Sequence, residues 1–168
     1  EQLQLYCYRV ASCVGILSAH IFGYKNKNTL TFAKNLGIAL QLTNIIRDLG
    51  EDARRGRIYI PLDELKKLGV SEEEIISLKN SGKIKNLVKN QVDRALKFYS
   101  LAIETLPAED KKSQKIGLIM GNIYYVLLNE IAKDNPEKIL NQKTILPGFR
   151  KLRISILTML GFSWIKNI

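Results

Sequence analysis

The stretch that most restricts this fold runs from Thr29 or Leu30 to about Arg55, where Gly56 is a natural stop. It reads as one helix of about 25 residues, or roughly 37 Å. Ile38, Leu40, Leu42, Ile45, Ile46 and Leu49 spread over several of its sides, so it should be largely buried. The rest of the chain has the same period. Residues 2–22 are apolar on most sides and should form a buried helix ending at Gly23. Pro61 suits the first turn of a short helix ending at Gly69, and Ser71 with Glu74 makes a capping box for the next. Residues 84–106, closed by Pro107, and 109–134, closed by Asn135-Pro136, complete the long elements. A last apolar segment follows Pro147-Gly148. No period-two run is long enough to argue for a sheet. The expected fold is an all-α helical bundle, one domain over residues 1–168.

Composition narrows the function classes. Hydrophobic residues at 46% and charged residues at 25% leave no case for disorder. The net charge of +10 favours anionic partners: nucleic acid, acidic lipid or a phosphorylated small molecule. Cys7 and Cys13 lie about 9 Å apart along one helix, too far for a disulfide, and read as small buried residues in a reducing compartment. No uninterrupted apolar run reaches spanning length and no signal peptide is seen, so a cytoplasmic location is expected.

The chemistry concentrates in residues 37–61. At 100° per residue, Gln41, Asn44, Asp48 and Asp52 fall within roughly 80° of one another. Gly37 shares the stripe and should leave room for something bulky. Polar groups on a buried helix are costly unless bound to something, and two carboxylates four apart repel. A cation is therefore expected there. Magnesium takes one or two carboxylates with waters and phosphate oxygens. Arg47, Arg54, Arg55 and Arg57 surround the same helix end, and arginine suits phosphate. The competing reading is a solvated helix end, with Asp48, Glu51 and Asp52 simply paired to Arg47, Arg54 and Arg55.

Residues 41–61, QLTNIIRDLGEDARRGRIYIP, resemble the second aspartate-rich motif of the squalene/phytoene synthase family. Residues 6–15, YCYRVASCVG, resemble the helix just upstream in that family, in the same order and spacing, and the similarity extends more weakly to about residue 130. YCYRVAS together with LSAHIFGY is most similar to the bacterial presqualene diphosphate synthases of the hopanoid pathway. The resemblance implies an isoprenoid-synthase bundle and head-to-head condensation of two prenyl diphosphates, farnesyl first among them, to presqualene diphosphate or a squalene-type product. Phytoene and dehydrosqualene synthases share the motif and are the alternative. It further implies that Asp48 and Asp52 hold magnesium or manganese, and that Gln41 and Asn44 support metal and diphosphate. Arg47, Arg57, Tyr59 and Tyr124 would contact diphosphate, and Tyr6 would lie near the reacting carbons.

The chain departs from the family in lacking a first DxxxD motif, and it begins with Glu. It is expected to be a C-terminal fragment, inactive alone. Arg9 replaces a smaller residue of many relatives. No GxGxxG follows a strand pattern, so no NADPH site is expected, which favours a product at the presqualene diphosphate or phytoene stage. Residues 147–168 hold Arg150, Lys151, Arg153 and Lys166 and no acidic residue. They suggest peripheral contact with the inner face of a membrane, against simple packing on the bundle. The non-enzymatic alternative, a basic helical module on RNA or membrane, would not need the Gln-Asn-Asp-Asp stripe, and no nucleic-acid partner is expected.

Overall fold

The computed structural model describes residues 2–79, 81–134 and 136–165. The described residues form helices and no strand, in the order α1 (Gln2–Cys7), a π-helical turn (Tyr8–Ser12), α2 (Cys13–Phe22), α3 (Asn28–Arg47), α4 (Leu49–Arg54), α5 (Leu62–Lys67), α6 (Glu72–Ile76), α7 (Gly82–Thr105), α8 (Lys115–Lys133), α9 (Pro136–Asn141) and α10 (Gly148–Met159). The bundle is the all-α architecture expected. Helix α3 is its axis. Phe32, Leu36, Ile38, Ala39, Leu42, Ile45 and Ile46 are all buried, and α1, α2, α7 and α8 pack around it.

Its N-terminus is fixed from far along the chain. Asp110 accepts hydrogen bonds from the Lys25 and Asn26 backbone N–H groups (2.8 and 3.0 Å) and from Thr29 Oγ1 (2.7 Å). This explains a departure from expectation. The helix expected over 109–134 starts at Lys115, because a 3₁₀ turn over Ala108–Asp110 turns the carboxylate toward α3. Burial raises the Asp110 carboxyl, but Thr29 and the two N–H groups outweigh it and hold it below the usual range. A depressed folded value gives stability that is present above the ordinary aspartate pKa of about 3.9 and lost as pH falls through the depressed one. Thermal melts of Asp110→Asn should therefore start from a lower Tm at neutral pH and show a flatter decline below about pH 4 than wild type.

The 2–22 helix differs more. A π turn at Tyr8–Ser12 interrupts it, where Cys13 N–H reaches Tyr8 O. Ser12 Oγ donates to Lys34 O of α3 at 2.7 Å. A Cβ on Gly37 would sit 2.7 Å from Ser12 Cα and 2.8 Å from Ser12 N. The space a Cβ would take at Gly37 is thus filled by the neighbouring backbone, while Gly37 itself borders a cavity between α2, α3 and α8.

Nor is this helix buried all round. Leu3, Cys7, Ser12 and Ala19 are buried, while Val14, Leu17 and Ile21 are 60–82% exposed. Packing against α3 covers one side, and the described residues supply no second layer. Gln2–Phe22 is also long and apolar enough by composition to cross a membrane, although polar residues interrupt its apolar run. Cys7 is buried and Cys13 half-buried, both free, and burial pushes the Cys7 thiol up to about 11.

Helix α8 ends at Lys133, just before the expected Asn135-Pro136 stop; Pro136 then opens α9, a helix the sequence did not indicate, and Asn135 lies outside the described residues. The capping box of Ser71 and Glu74 forms as the sequence indicates (3.1 and 2.8 Å).

Candidate functional site

The expected 25-residue helix is two helices. It breaks at Asp48, whose φ and ψ are −96° and 7°. The break has a local use. Adjacent residues on a straight helix do not face each other, yet Arg47 donates to Asp48 through Nε (2.8 Å) and Nη2 (2.7 Å). The i,i+4 ladder survives, with Asp48 N–H on Asn44 O and Asp52 N–H on Asp48 O, both 2.8 Å. The stripe therefore persists through the break.

Lys143, in the segment after α9, was not anticipated. Its Nζ lies 2.8 Å from Asp48 and 3.2 Å from Glu51. Helix α9 delivers it there. Gly50 lets α4 meet the α9 backbone, where an added Cβ would stand 2.6 Å from Leu140 C. Arg54 Nη2 then donates to the Leu140 and Asn141 carbonyls (3.0 and 3.1 Å). A lone lysine in a lysine-rich chain offered no sequence signal.

The competing ion-pair reading is met in part: Asp48 pairs with Arg47 and Glu51 with Arg55 (2.7 Å each), but Arg54 is spent on α9. The Asp52 side chain makes no hydrogen bond or ion pair among the described residues.

Electrostatics separate the two aspartates. Burial raises the Asp48 carboxyl, but Arg47 and Lys143 overcome this and hold it below its ordinary range. Asp52 is raised, by burial and then by the charges of Asp48 and Glu51, against the pull of Arg55 and Arg57. Asp48 is compensated, and Asp52 still wants positive charge.

Gln41, Asn44 and Tyr124 line an apolar cavity of about 350 Å³ between α2, α3 and α8, walled by residues such as Val14, Phe32 and Met120. Asn44 Oδ1 is buried without a hydrogen-bond partner. The Tyr124 hydroxyl lies by Arg47 and, after Asp48, helps raise its guanidinium pKa. Tyr125 points elsewhere, edge-on to the buried Tyr99 ring at 5.4 Å. Tyr6 and Tyr59 do not line this cavity. Their rings stack at 5.2 Å along a second groove of about 510 Å³. Burial, then Tyr59, raises the Tyr6 phenol, and Asp52 acts in the same direction. Arg57 is exposed, within the field of Asp52. Asp48 and Asp52 thus connect two groups of the expected residues: Asp48 through Arg47 to the cavity, Asp52 to the tyrosine groove.

This arrangement can bind an anion-bearing, apolar molecule. Carboxylates and cations stand beside an apolar cavity long enough for a hydrocarbon chain: the α3 residues from Phe32 to Asn44 cover about 18 Å.

The chain resembles known proteins over most of its length. The squalene/phytoene synthase family model matches residues 1–150. Phytoene synthase of Arthrospira platensis is 36% identical over 165 residues, covering 90% of this chain and 53% of that protein. Chloroplastic phytoene synthase 2 of Zea mays is 43% identical over 141 residues, covering 80% and 35%. The chain thus spans about half the length or less of these relatives. A crystal structure of a dehydrosqualene synthase in complex with ligand superposes with a TM-score of 0.78 at 26% identity, over 94% of this chain and 56% of that one. A squalene synthase, HpnC of Alicyclobacillus acidocaldarius, shares the fold at 23% identity (TM-score 0.65; 79% and 51% covered).

Proposed function

We propose, on the premise that this chain belongs to the squalene/phytoene synthase family, that it contributes the diphosphate-releasing part of a head-to-head prenyltransferase. The observation that carries this is the pair Asp48 and Asp52, four residues apart across a helix break, beside an apolar cavity into which an unpartnered Asn44 side chain is set.

Magnesium, or manganese in its place, fits these residues. Asn44 Oδ1 lacks a partner, and the Asp52 carboxylate lacks a paired cation among the described residues. No three His, Cys, Asp or Glu side chains converge among them. That suits a metal sharing its coordination sphere with water and phosphate rather than one caged by protein. Asp48 and Asp52 would hold it, supported by Gln41 and Asn44. When bound, the metal neutralises charge on the departing diphosphate.

The chain's own residues do the rest. Arg47, Lys143 and Arg57 supply positive charge to phosphate oxygens. The Tyr124 hydroxyl from the cavity side and the Tyr59 hydroxyl from the groove side are the donors available to diphosphate. The stacked Tyr6 ring presents a π face that stabilises a nearby carbocation. The apolar wall orients the hydrocarbon tail and keeps water from the cation. Two prenyl diphosphates joined this way give a cyclopropyl product: the C–O bond of one breaks with loss of its diphosphate, the double bond of the other captures the cation, and a proton leaves as the ring closes. The finer reading is farnesyl diphosphate giving presqualene diphosphate. A second reading, consistent with the phytoene synthases among the relatives, is phytoene-type condensation of a longer, twenty-carbon prenyl diphosphate.

Product analysis on the complete gene product tests both. Farnesyl diphosphate and magnesium without NADPH should yield presqualene diphosphate. A forty-carbon product from geranylgeranyl diphosphate, with none of thirty carbons from farnesyl, moves the assignment to the second reading. The absence of both products would sink the proposal.

A further inference from the structure

We infer that α10 and the turn after it form a docking face for a bilayer of anionic phospholipid. Phe149, Leu152, Ile156 and Met159 fall within roughly 80° on α10. They are 76, 60, 52 and 61% exposed. Leu160 and Phe162 extend the patch at 72 and 62%. Six large apolar side chains in one exposed strip mark an interaction site.

The helix cannot roll to hide them. Its opposite side is held on α8, with Ile154 and Thr158 buried and Asn122 Nδ2 donating to Thr158 Oγ1 at 3.1 Å. The chain beyond is pinned to the same asparagine, whose Oδ1 accepts from Trp164 N–H at 2.9 Å.

Charge selects the occupant. Residues 147–165 contain no Asp or Glu. Lys151 and Arg153 are exposed and form no ion pair among the described residues, while Arg150 is spent on Glu130 at 2.8 Å. A second copy meeting this face through a two-fold axis would bring cations against cations. A core buried in another protein favours few charges. An apolar strip flanked by unpaired cations on a chain of net charge +10 matches the interface of an acidic bilayer, where apolar side chains enter and cations stay with the headgroups. Lys166 lies outside the described residues. The prenyl-diphosphate reading is not needed here, though a surface site would suit hydrocarbon substrates.

The test is flotation of the full chain with vesicles of phosphatidylcholine, alone or mixed equally with phosphatidylglycerol. Trp164, the sole tryptophan, serves as the probe with brominated lipid. Binding and quenching should occur on the anionic vesicles and weaken with salt. Lys151→Ala with Arg153→Ala should weaken partitioning about 30-fold. Leu152→Ser with Ile156→Ser should weaken it at least about tenfold, both with unchanged circular dichroism. If the serine pair loses helicity, the alanine pair and the quenching decide alone. Any of four results overturns the proposal: no binding; equal binding to neutral vesicles; binding removed instead by Leu17→Ser with Ile21→Ser; or a dimer in gel filtration that the serine pair dissolves.

Discussion

Asp48→Asn and Asp52→Asn, each made in the complete protein, should cut turnover by roughly 10²–10³-fold while moving stability in opposite directions. The activity loss follows from removing charge that binds best as the diphosphate departs. The stability split follows from the environments. Asp48 is the counter-charge of both Arg47 and Lys143. Its loss leaves two cations facing each other and should cost about 1–2 kcal/mol. Its folded pKa is depressed, so the stability it provides is full above about pH 4 and lost as pH falls through the lower folded value.

Asp52 has the reverse sign. Its pKa is raised. Its contribution is greatest below the ordinary aspartate value and is lost as pH rises through the folded one. Asp52→Asn should therefore raise Tm at neutral pH by roughly 1–2 °C. It should also flatten the decline above about pH 4. Magnesium with inorganic pyrophosphate should raise the Tm of wild type and leave both variants unmoved. Matching Tm shifts in the two variants, or turnover within tenfold of wild type, would refute the assignment.

Gly50→Ala should produce the largest loss of stability, about 3 kcal/mol or more, and a Tm lower by roughly 6–12 °C. The added methyl would meet the Leu140 backbone, with its Cα at 2.8 Å and C at 2.6 Å, and backbone yields little. Leu140 is fully buried, so α9 cannot shift without opening the core beside it. The consequence reaches the site. With α9 displaced, Arg54 loses its two carbonyls and Lys143 its approach to Asp48. The Asp48 carboxyl should then titrate nearer the ordinary range, followed by carboxyl carbon resonances. A Tm within 2 °C of wild type would show that the two helices are not locked at this point.

The helices and the stripe were legible because they depend on neighbours three and four places away. The period of α3, the Ser71 and Glu74 cap and the alignment of Asn44, Asp48 and Asp52 are all such local facts. The break at Asp48 was not legible. It rests on an Arg47 fork that closes on the adjacent residue, and no propensity encodes that closure. Gly37 was read as open space because a missing side chain says nothing about which atoms fill it; here Ser12 does.

By itself the sequence determined an all-α chain, the order of its long helices and a row of amide and carboxylate groups on one face of the most buried of them. Each follows from residue type and spacing within a few turns. Only the tertiary structure decided what meets that row. It brought Lys143 to Asp48, set Tyr124 rather than Tyr125 on the cavity and put Tyr6 with Tyr59 in a separate groove. It also turned Asp110 to cap α3 and left one side of residues 2–22 open. These outcomes depend on the path of the chain between residues tens of positions apart, and helical period carries no information about that path.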